Sequence, residues 1–304
     1  SKKSVCRYFK VNEVQNYSVD MKSARRRFSD AALRYDEHAV VQRHVASNLL
    51  DALDIIKIDP HRVLDLGSGT GGAARSLVKR FPRSSITLLD VALPMLVQAR
   101  SKAPRWRSRQ TYICAHAERL PLAENTVDLI FANLVFHWCD DLDSVFQECN
   151  RVLRPGGLIL FSSLGPDTLR ELRDAWSSTD AAPHVNMFID MHDVGDALIR
   201  ARFASPILER DTLTVNFDDV YALMRDLRGL GATNSLKGRS KGLGSPRAFK
   251  RMIENYEVHR LEEKLPATIE VVYAHAWSAE QGTRLQDGST VATFPFSEIK
   301  KRHS

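Results

Sequence analysis

The chain has 304 residues, enough for one large α/β domain with an insertion or for two small domains. No apolar run reaches the ~20 residues of a membrane span, so the sequence predicts no membrane-spanning helix. The net charge of +6 is uneven: residues 1–28 carry eight Lys/Arg against two acidic residues, and residues 225–251 carry eight against one. Two basic stretches on a more acidic body favour an acidic partner, and neither a nucleic-acid nor a membrane partner is expected. Solvated tail and loop charge is the alternative, and for residues 1–28 it is the preferred interpretation.

The four cysteines form no CxxC pair and no metal-ligand spacing, so we expect reduced thiols and no bound metal. The first residues lack the apolar segment of a secretory signal, which favours a cytoplasmic protein. A basic transit peptide is the alternative, although Glu13 and Asp20 interrupt the basic stretch. We expect residues 1–23 to be a flexible extension and residues 24–304 to form one domain.

The apolar pattern from Phe28 to about Ile56 predicts an N-terminal helix. Short β-like runs then alternate with helical runs. The predicted strands are Arg62–Leu66, Ile86–Asp90, Tyr112–Ala115, Val127–Ala132 and Leu158–Ser163. The predicted helices between them are Gly72–Arg80, Pro94–Lys102 and Leu142–Leu153. This alternation predicts an α/β fold with a parallel sheet and helices on both faces.

Two closing strands are predicted at Ile207–Val215 and Thr268–Trp277. The segment between them, about 217–266, is too long for an ordinary connection. It contains two helical stretches, 217–228 and 246–260, joined by a basic loop rich in glycine. We therefore predict a helical lid inserted before the last strand.

A glycine-rich turn follows the first predicted strand. Its glycines fit Gly-x-Gly-x-Gly from Gly67, which is typical of S-adenosylmethionine (SAM) sites, and also the dinucleotide pattern Gly-x-Gly-x-x-Gly. Asp65 favours SAM, because a carboxylate there would attract the cationic amino group of methionine and repel a pyrophosphate. Asp90, at the end of the second strand, could accept hydrogen bonds from the ribose of either cofactor.

The glycine pattern, Asp90 and the Arg154-Pro-Gly-Gly run resemble the class I SAM-dependent methyltransferases over residues 60–163. The resemblance implies a Rossmann-like, seven-stranded, mostly parallel sheet, with SAM bound and S-adenosylhomocysteine released. It implies a cofactor site made by Asp65, Gly67, Ser68, Gly69, Gly71, Asp90, Val91, Met95, Ala117, Glu118 and Asn133. These enzymes commonly have an Asp where His116 stands, so a backbone carbonyl, Glu118 or His116 itself would meet the adenine amine.

Two further regions are predicted beside the ligands: the end of the fourth strand would face the transferred methyl group, and the N-terminal helix would close over SAM or the substrate. Tyr35, His38 and Gln42 are spaced i, i+3, i+7 on one helix face, which is either a ligand-binding stripe or a solvated surface. His137 follows the fourth strand and is either a substrate contact or a histidine packed beside Trp138. We predict Tyr35 and His137 as positioning residues at the catalytic centre.

Four segments occur together: the Tyr35–Gln42 helix, Asn133-Leu134 with Trp138, Pro183–Phe188, and Leu227–Asn234 with Gly238-Arg239. From about Arg27 to Trp277 the chain thereby resembles the malonyl-acyl-carrier-protein O-methyltransferases of biotin synthesis. The resemblance implies methylation of the free carboxylate of malonyl-acyl-carrier protein, the first step of the pimeloyl branch, by a monomer. It implies that the substrate or its acidic carrier contacts residues among Gln42, Arg228, Lys237, Arg239 and Arg247.

Three other functions remain open. A relative of the mitochondrial complex I assembly factors, with protein-arginine hydroxylase activity, would share the Pro-His and lid features. A SAM-binding scaffold would share every binding residue, since binding does not prove turnover. A small-molecule O- or C-methyltransferase fits the basic lid less well than a protein-borne substrate does.

Overall fold

The computed structural model describes residues 18–104, 109–179, 182–239 and 245–279, and the backbone of 283–284 and 290–291. Its N-terminal part forms three helices: α1 (Met21–Ala31), α2 (Tyr35–His38) and α3 (Val40–Ile55). The single helix predicted from Phe28 to Ile56 is therefore wrong. A turn follows α1, and Ala39 breaks the second helix with a non-helical ψ of 44°. These breaks orient the two ends of the segment differently.

The prediction that residues 1–23 form a flexible extension is wrong for residues 18–23. Residues 1–17 lie outside the described residues, but residues 18–23 belong to the fold. Val19 forms an antiparallel bridge with Leu236, and Asp20 caps α1 by accepting a hydrogen bond from the Ser23 N–H at 3.1 Å. A local sequence pattern could not show this, because the pairing partner lies far along the chain.

Seven strands form one sheet in the order β3-β2-β1-β4-β5-β7-β6. They are β1 (Arg62–Leu66), β2 (Ser85–Asp90), β3 (Gln110–Cys114), β4 (Val127–Asn133), β5 (Leu153–Leu164), β6 (Phe203–Phe217) and β7 (Leu265–Ser278). β7 runs antiparallel to both of its neighbours, and the other pairs are parallel. This arrangement confirms the predicted class I methyltransferase fold.

Seven more helices surround the sheet. They are α4 (Gly72–Arg80), α5 (Leu93–Ser101), α6 (Leu142–Val152), α7 (Arg170–Ser177), α8 (Met191–Arg200), α9 (Val220–Gly229) and α10 (Pro246–Tyr256). Alternate strand residues point to opposite faces, so Val63 packs under α3, α4 and α5 while Leu64 packs under α6 and α8. Both faces of the central strands β1, β4 and β5 are thereby buried, whereas β3 and β6 at the edges are more exposed. No helix in the described residues has both the length and the apolar character needed to cross a membrane.

The lid has a core of its own. Helices α9 and α10 lie between Phe217 and Leu265, and α7 packs with them around Leu172, Leu223 and Met252. Sequence reasoning assigned neither α7 nor α8. α7 gives no start signal, because it follows Leu169 in a left-handed conformation (φ 56°) and has no side-chain cap. α8 does carry such a signal, since Asp190 caps it.

Candidate active site

One cavity opens where the carboxyl ends of β1, β2, β4 and β5 meet the N-terminal helices and the lid. This is the edge at which ligands bind in open α/β sheets. The glycine turn forms its floor: Gly67 lies at φ 68°, and a β-carbon there would approach a Val135 methyl to 2.2 Å. Gly67 and Gly69 line the cavity, whereas Gly71 packs against Ala99.

Asp65 is buried directly beneath this turn. Its side chain is 1% exposed, and Oδ2 has no hydrogen-bond partner among the described residues. Burial, with the neighbouring charge of Asp90, raises the pKa of Asp65 to about 7. Ser68 Oγ is likewise buried without a partner. A buried carboxylate oxygen left unpaired is the feature that a cationic amino group would complete.

Asp90 is held by the backbone. Oδ2 accepts a hydrogen bond from the Gly69 N–H at 2.9 Å, and Oδ1 accepts one from the Ala92 N–H at 2.8 Å. Burial raises the pKa of this carboxyl, and the backbone donors oppose that rise. The two bonds fix the carboxylate at the end of β2, facing the cavity.

The wall beyond Asp90 is the predicted adenine side. Val91, Met95, Ala117 and Glu118 all line the cavity there, as does His116. His116 and Glu118 are solvent-exposed, so both stand at the cavity's edge. The structure brings this set of predicted cofactor residues together.

Tyr35 lies over the glycine turn, with its Cε1 4.0 Å from the place a Gly69 β-carbon would occupy. Burial raises the pKa of its hydroxyl further above the ordinary range, so Tyr35 stays neutral. Its neighbour Asp36 accepts hydrogen bonds from Thr70 and, at 2.7 Å, from Lys102 Nζ. Asp36 thus fastens α2 to both the turn and α5.

Asn133 and Gln42 join β4 to α3. The Asn133 amide donates to the Gln42 carbonyl at 3.0 Å, and its Oδ1 accepts from Ser162 Oγ at 2.9 Å. Both residues line the cavity, but the Asn133 side chain is occupied by these protein contacts. Gln42 Oε1, in contrast, is buried without a partner.

His137 sits in a 3₁₀ turn, Phe136–Trp138, just after β4. Its ring lies 5.3 Å from that of Trp138 and 5.7 Å from that of Phe188, centroid to centroid. Burial lowers the pKa of His137 to about 3, so the imidazole is neutral at physiological pH. Its Nδ1 has no partner among the described residues.

The family-like segments of the sequence converge on the same cavity. Arg27 of α1 donates to Thr233 Oγ1 at 2.8 Å and to the Asn234 carbonyl. Asn234 in turn donates to the Pro183 carbonyl at 2.6 Å. His38 Nδ1 lies 2.8 Å from Asp226 Oδ1 on α9. The N-terminal helices therefore hold the lid over the sheet.

The predicted basic contacts do not line the cavity. Arg228 and Arg247 are exposed on the outer side of the lid. Lys237 Nζ lies 3.5 Å from Asp140. Arg239 donates to Asp20 Oδ2 at 3.1 Å and to Ser23 Oγ at 3.2 Å, so it holds α1 to the lid.

Sequence reasoning missed most of the wall that the lid contributes. This wall includes Thr168, Leu169, Val215, Phe217, Leu223, Leu227, Leu230, Ala267 and Ile269. Thr168 and Leu169 precede α7, Leu230 follows α9, and the others come from the ends of β6 and β7 and from α9. Apolar residues at such places look like ordinary core positions. Asn186 and Phe188 of the Pro183–Phe188 segment also line the cavity, so that motif was the available signal. No cluster of metal-binding side chains occurs in the part of the chain that the structure describes.

Comparison with known proteins decides the family. A methyltransferase-domain model matches residues 64–161. A malonyl-[acyl-carrier protein] O-methyltransferase from Gallionella capsiferriformans is 43% identical over 288 residues, covering 93% of this chain and 99% of the relative. A protein of the same name from Methylovorus sp. is 44% identical over 283 residues, covering 91% and 96%. The chain belongs to the malonyl-[acyl-carrier protein] O-methyltransferase family.

The match to this family reaches well beyond the methyltransferase domain. Because 93% of the chain is aligned with the relative, the unaligned remainder is shorter than the lid and shorter than the N-terminal helices. The alignment therefore includes residues of both regions. The solved structure of the YcgJ protein from Bacillus subtilis shares the fold, with a TM-score of 0.57 at 16% identity over 78% of this chain and 99% of that one.

Proposed function

We propose that the protein transfers a methyl group from SAM to the free carboxylate of malonyl-acyl-carrier protein, the first step of the pimeloyl branch of biotin biosynthesis. The observation that carries the proposal is the family match, because it spans both the SAM-type turn and the lid. The convergence of Tyr35, Asn133, Asn186 and Leu227 on one cavity supports it.

The residues of the turn fit SAM. Asp65 Oδ2 is a buried, unpaired acceptor that would hold the ammonium of the methionine part, and Asp90 would accept from the ribose hydroxyls. Val91, Met95, Ala117 and Glu118 would border the adenine. When bound, SAM supplies an electrophilic methyl group on a sulfonium.

The chemistry requires positioning more than proton transfer. A malonyl carboxyl has a pKa of about 4, so it is an ionised nucleophile at pH 7 and needs no general base. Tyr35 and the lid would exclude water, and the wall from β6 and β7 would confine the acyl group. The rate would then depend on how well the cavity aligns the carboxylate oxygen with the methyl group.

The carrier would dock on the outer side of the lid. Arg225 and Arg228 are exposed on α9, opposite the side whose Leu223 and Leu227 line the cavity. We call these two residues, with Arg247 and Arg251 of α10, the outer arginine face. None of the four forms an ion pair with a described residue, so all are available to an acidic carrier.

The test is methyl transfer from radiolabelled SAM to malonyl-carrier protein, with acetyl-carrier protein as the control. We expect base-labile label on the malonyl form alone, since only it offers a free carboxylate. No label, with SAM binding intact by calorimetry, would contradict the proposal and favour a SAM-binding scaffold or an assembly-factor relative.

The proposal includes a cytoplasmic, monomeric enzyme. The three cysteines in the described part of the chain are free thiols, and two of them, Cys139 and Cys149, are buried. Free thiols persist in reducing compartments, which supports the cytoplasm. Sedimentation at assay concentration tests the monomer.

A further inference from the structure

Among the described residues that line the cavity, His137 and Gln42 each have a buried polar side-chain atom without a hydrogen-bond partner, and of these two side chains only the His137 ring is held between aromatic rings. Its Nδ1 has no hydrogen bond within the described residues, while the ring is held between Trp138 and Phe188. A buried nitrogen without a partner costs free energy that a ligand atom would recover. The ring is fixed by packing, so the position of that ligand atom is fixed too.

The charges around the cavity point to the nature of the ligand atom. Of the Asp, Glu, Lys and Arg side chains among the described lining residues, all are carboxylates: Asp90, Glu118 and Asp226. Asp226 is engaged by His38, and Asp90 by backbone N–H groups. The described walls therefore offer a substrate carboxylate no Lys or Arg side chain, so any hydrogen-bond donor it meets there is neutral.

Neutral donors suit methylation of a carboxylate. In the proposed reaction a carboxylate oxygen forms a bond to the methyl carbon, and the methyl–sulfur bond breaks with its electron pair going to sulfur. The negative charge on oxygen and the positive charge on sulfur both disappear, giving a neutral ester and a neutral thioether. A fixed cation beside the oxygen would stabilise the reactant more than the transition state and would be left unpaired in a dry cavity.

We propose that His137 donates a hydrogen bond to the substrate carboxylate as a neutral imidazole, positioning one oxygen for attack without an opposing positive charge. This inference rests on the proposed function. It assigns His137 a direct contact with the substrate. It also means that the absence of Lys and Arg side chains among the described lining residues makes the carboxylate more reactive.

Two variants test the contact in the full-length protein. His137→Phe keeps the aromatic packing and removes the donor; we expect kcat/KM for malonyl-carrier protein to fall about 10- to 100-fold, with the Kd for SAM unchanged. His137→Asn returns a neutral N–H and should recover activity to within about tenfold of wild type. A Phe variant with wild-type kcat/KM, or an Asn variant no better than Phe, would overturn the inference.

The matched control is His192→Phe, since His192 is exposed on α8 and pairs with Asp190 outside the cavity. We expect wild-type kinetics from it. If wild-type enzyme itself fails to label malonyl-carrier protein, the proposed function is wrong. If wild type labels it and the His137 variants do not respond, only the inference is wrong.

A ligand comparison tests the neutral recognition even if a variant does not fold. Malonamyl-carrier protein replaces the carboxylate by an uncharged amide of nearly the same shape. With S-adenosylhomocysteine present, we expect wild-type enzyme to bind the malonyl and malonamyl carriers with Kd values within about tenfold of each other. A larger preference for the malonyl form would indicate a cationic partner and overturn the inference.

Discussion

Asp65 combines near-complete burial with a pKa of about 7, well above the ~3.9 of an exposed aspartate. The folded protein therefore binds this proton more tightly than the unfolded chain does. The stability from Asp65 is fully present below about pH 4 and is lost as pH rises through about 7. A cation beside Oδ2 would stabilise the ionised carboxylate and so offset this loss of stability. The affinity for SAM should therefore depend on the ionisation of Asp65.

Asp65→Asn should separate stability from binding. At pH 8 we expect the ligand-free variant to have a higher free energy of unfolding, by at most about 4 kcal/mol, because the buried charge is gone. Its Kd for SAM should rise at least tenfold, since the ammonium loses its partner. Chemical denaturation at pH 8 and pH 5, with calorimetry, measures both. Unchanged SAM affinity would remove Asp65 from the cofactor site.

Sequence patterns predict the role of a residue when that role depends on its neighbours in the chain. Asp65 and Gly67 follow from the strand-and-turn pattern; Gly67 lines the cavity, and Asp65 is buried in β1 just before the turn. Arg239 is one of the basic residues predicted to contact the substrate or its carrier, but its side chain donates to a long-range partner, Asp20, which no local pattern shows. The predicted site residues remain to be tested by mutation.

The N-terminal helices and the lid form one functional unit. Gly231, at φ 71°, lies so close to α1 that a β-carbon would approach the Arg27 carbonyl oxygen to 2.9 Å. Gly229 lies closer still to the His38 ring, where a β-carbon would approach Cδ2 to 2.1 Å. These two glycines let the end of α9 pack against α2 and let the residues just after α9 pack against α1.

Gly231→Ala should loosen this contact. We expect a loss of about 1–3 kcal/mol in the free energy of unfolding, because the alanine must adopt a left-handed conformation and displace backbone. The KM for malonyl-carrier protein should rise as the lid shifts. Thermal unfolding and steady-state kinetics measure these effects.

The control is Gly195→Ala in α8, where the nearest atom, Leu208 Cδ1, would be 3.5 Å from the new β-carbon. That change should be neutral or stabilising, as alanine favours a helix over glycine. Equal destabilisation by both substitutions would contradict the close approach at Gly231.

At the scale of elements, the sheet was predictable and the lid was only partly so. β1 and α4 begin and end where the periodicity predicts. β5 instead starts at Leu153, so Pro155–Gly157 lies in the strand, beside an irregularity in the pairing between Val127 and Leu129. The pattern did not predict α7, which packs against the lid, because this helix depends on tertiary contacts and has no side-chain cap.

None of the four residues of the outer arginine face lines the cavity, so carrier recognition and chemistry should be separable. Changing Arg225, Arg228, Arg247 and Arg251 together to Glu should raise the KM for malonyl-carrier protein at least tenfold and leave the Kd for SAM unchanged. The wild-type KM should also rise with ionic strength, through screening. Steady-state kinetics at two salt concentrations measures both effects.

The matched control changes Lys79 and Arg83 to Glu. Both are exposed, and Arg83 precedes β2 at the edge of the sheet opposite the cavity. The quantity to compare is the change in KM per substituted residue. If it is as large for this pair as for the outer arginine face, the effect comes from total charge and not from docking.

Arg27 and Asn234 are 207 positions apart in the chain, and their contact has a consequence for synthesis. At the ~5–20 residues per second of translation, α1 leaves the ribosome roughly 10–40 seconds before its partner in the lid exists. During that interval Arg27 lacks its lid partners, whereas Phe28 can already pack against Ala92 and Met95, which are synthesised earlier than the lid. The cationic residues of α1 would keep this helix soluble until the lid is synthesised. The basic N-terminal segment would then have a role in the nascent chain as well as in the folded enzyme.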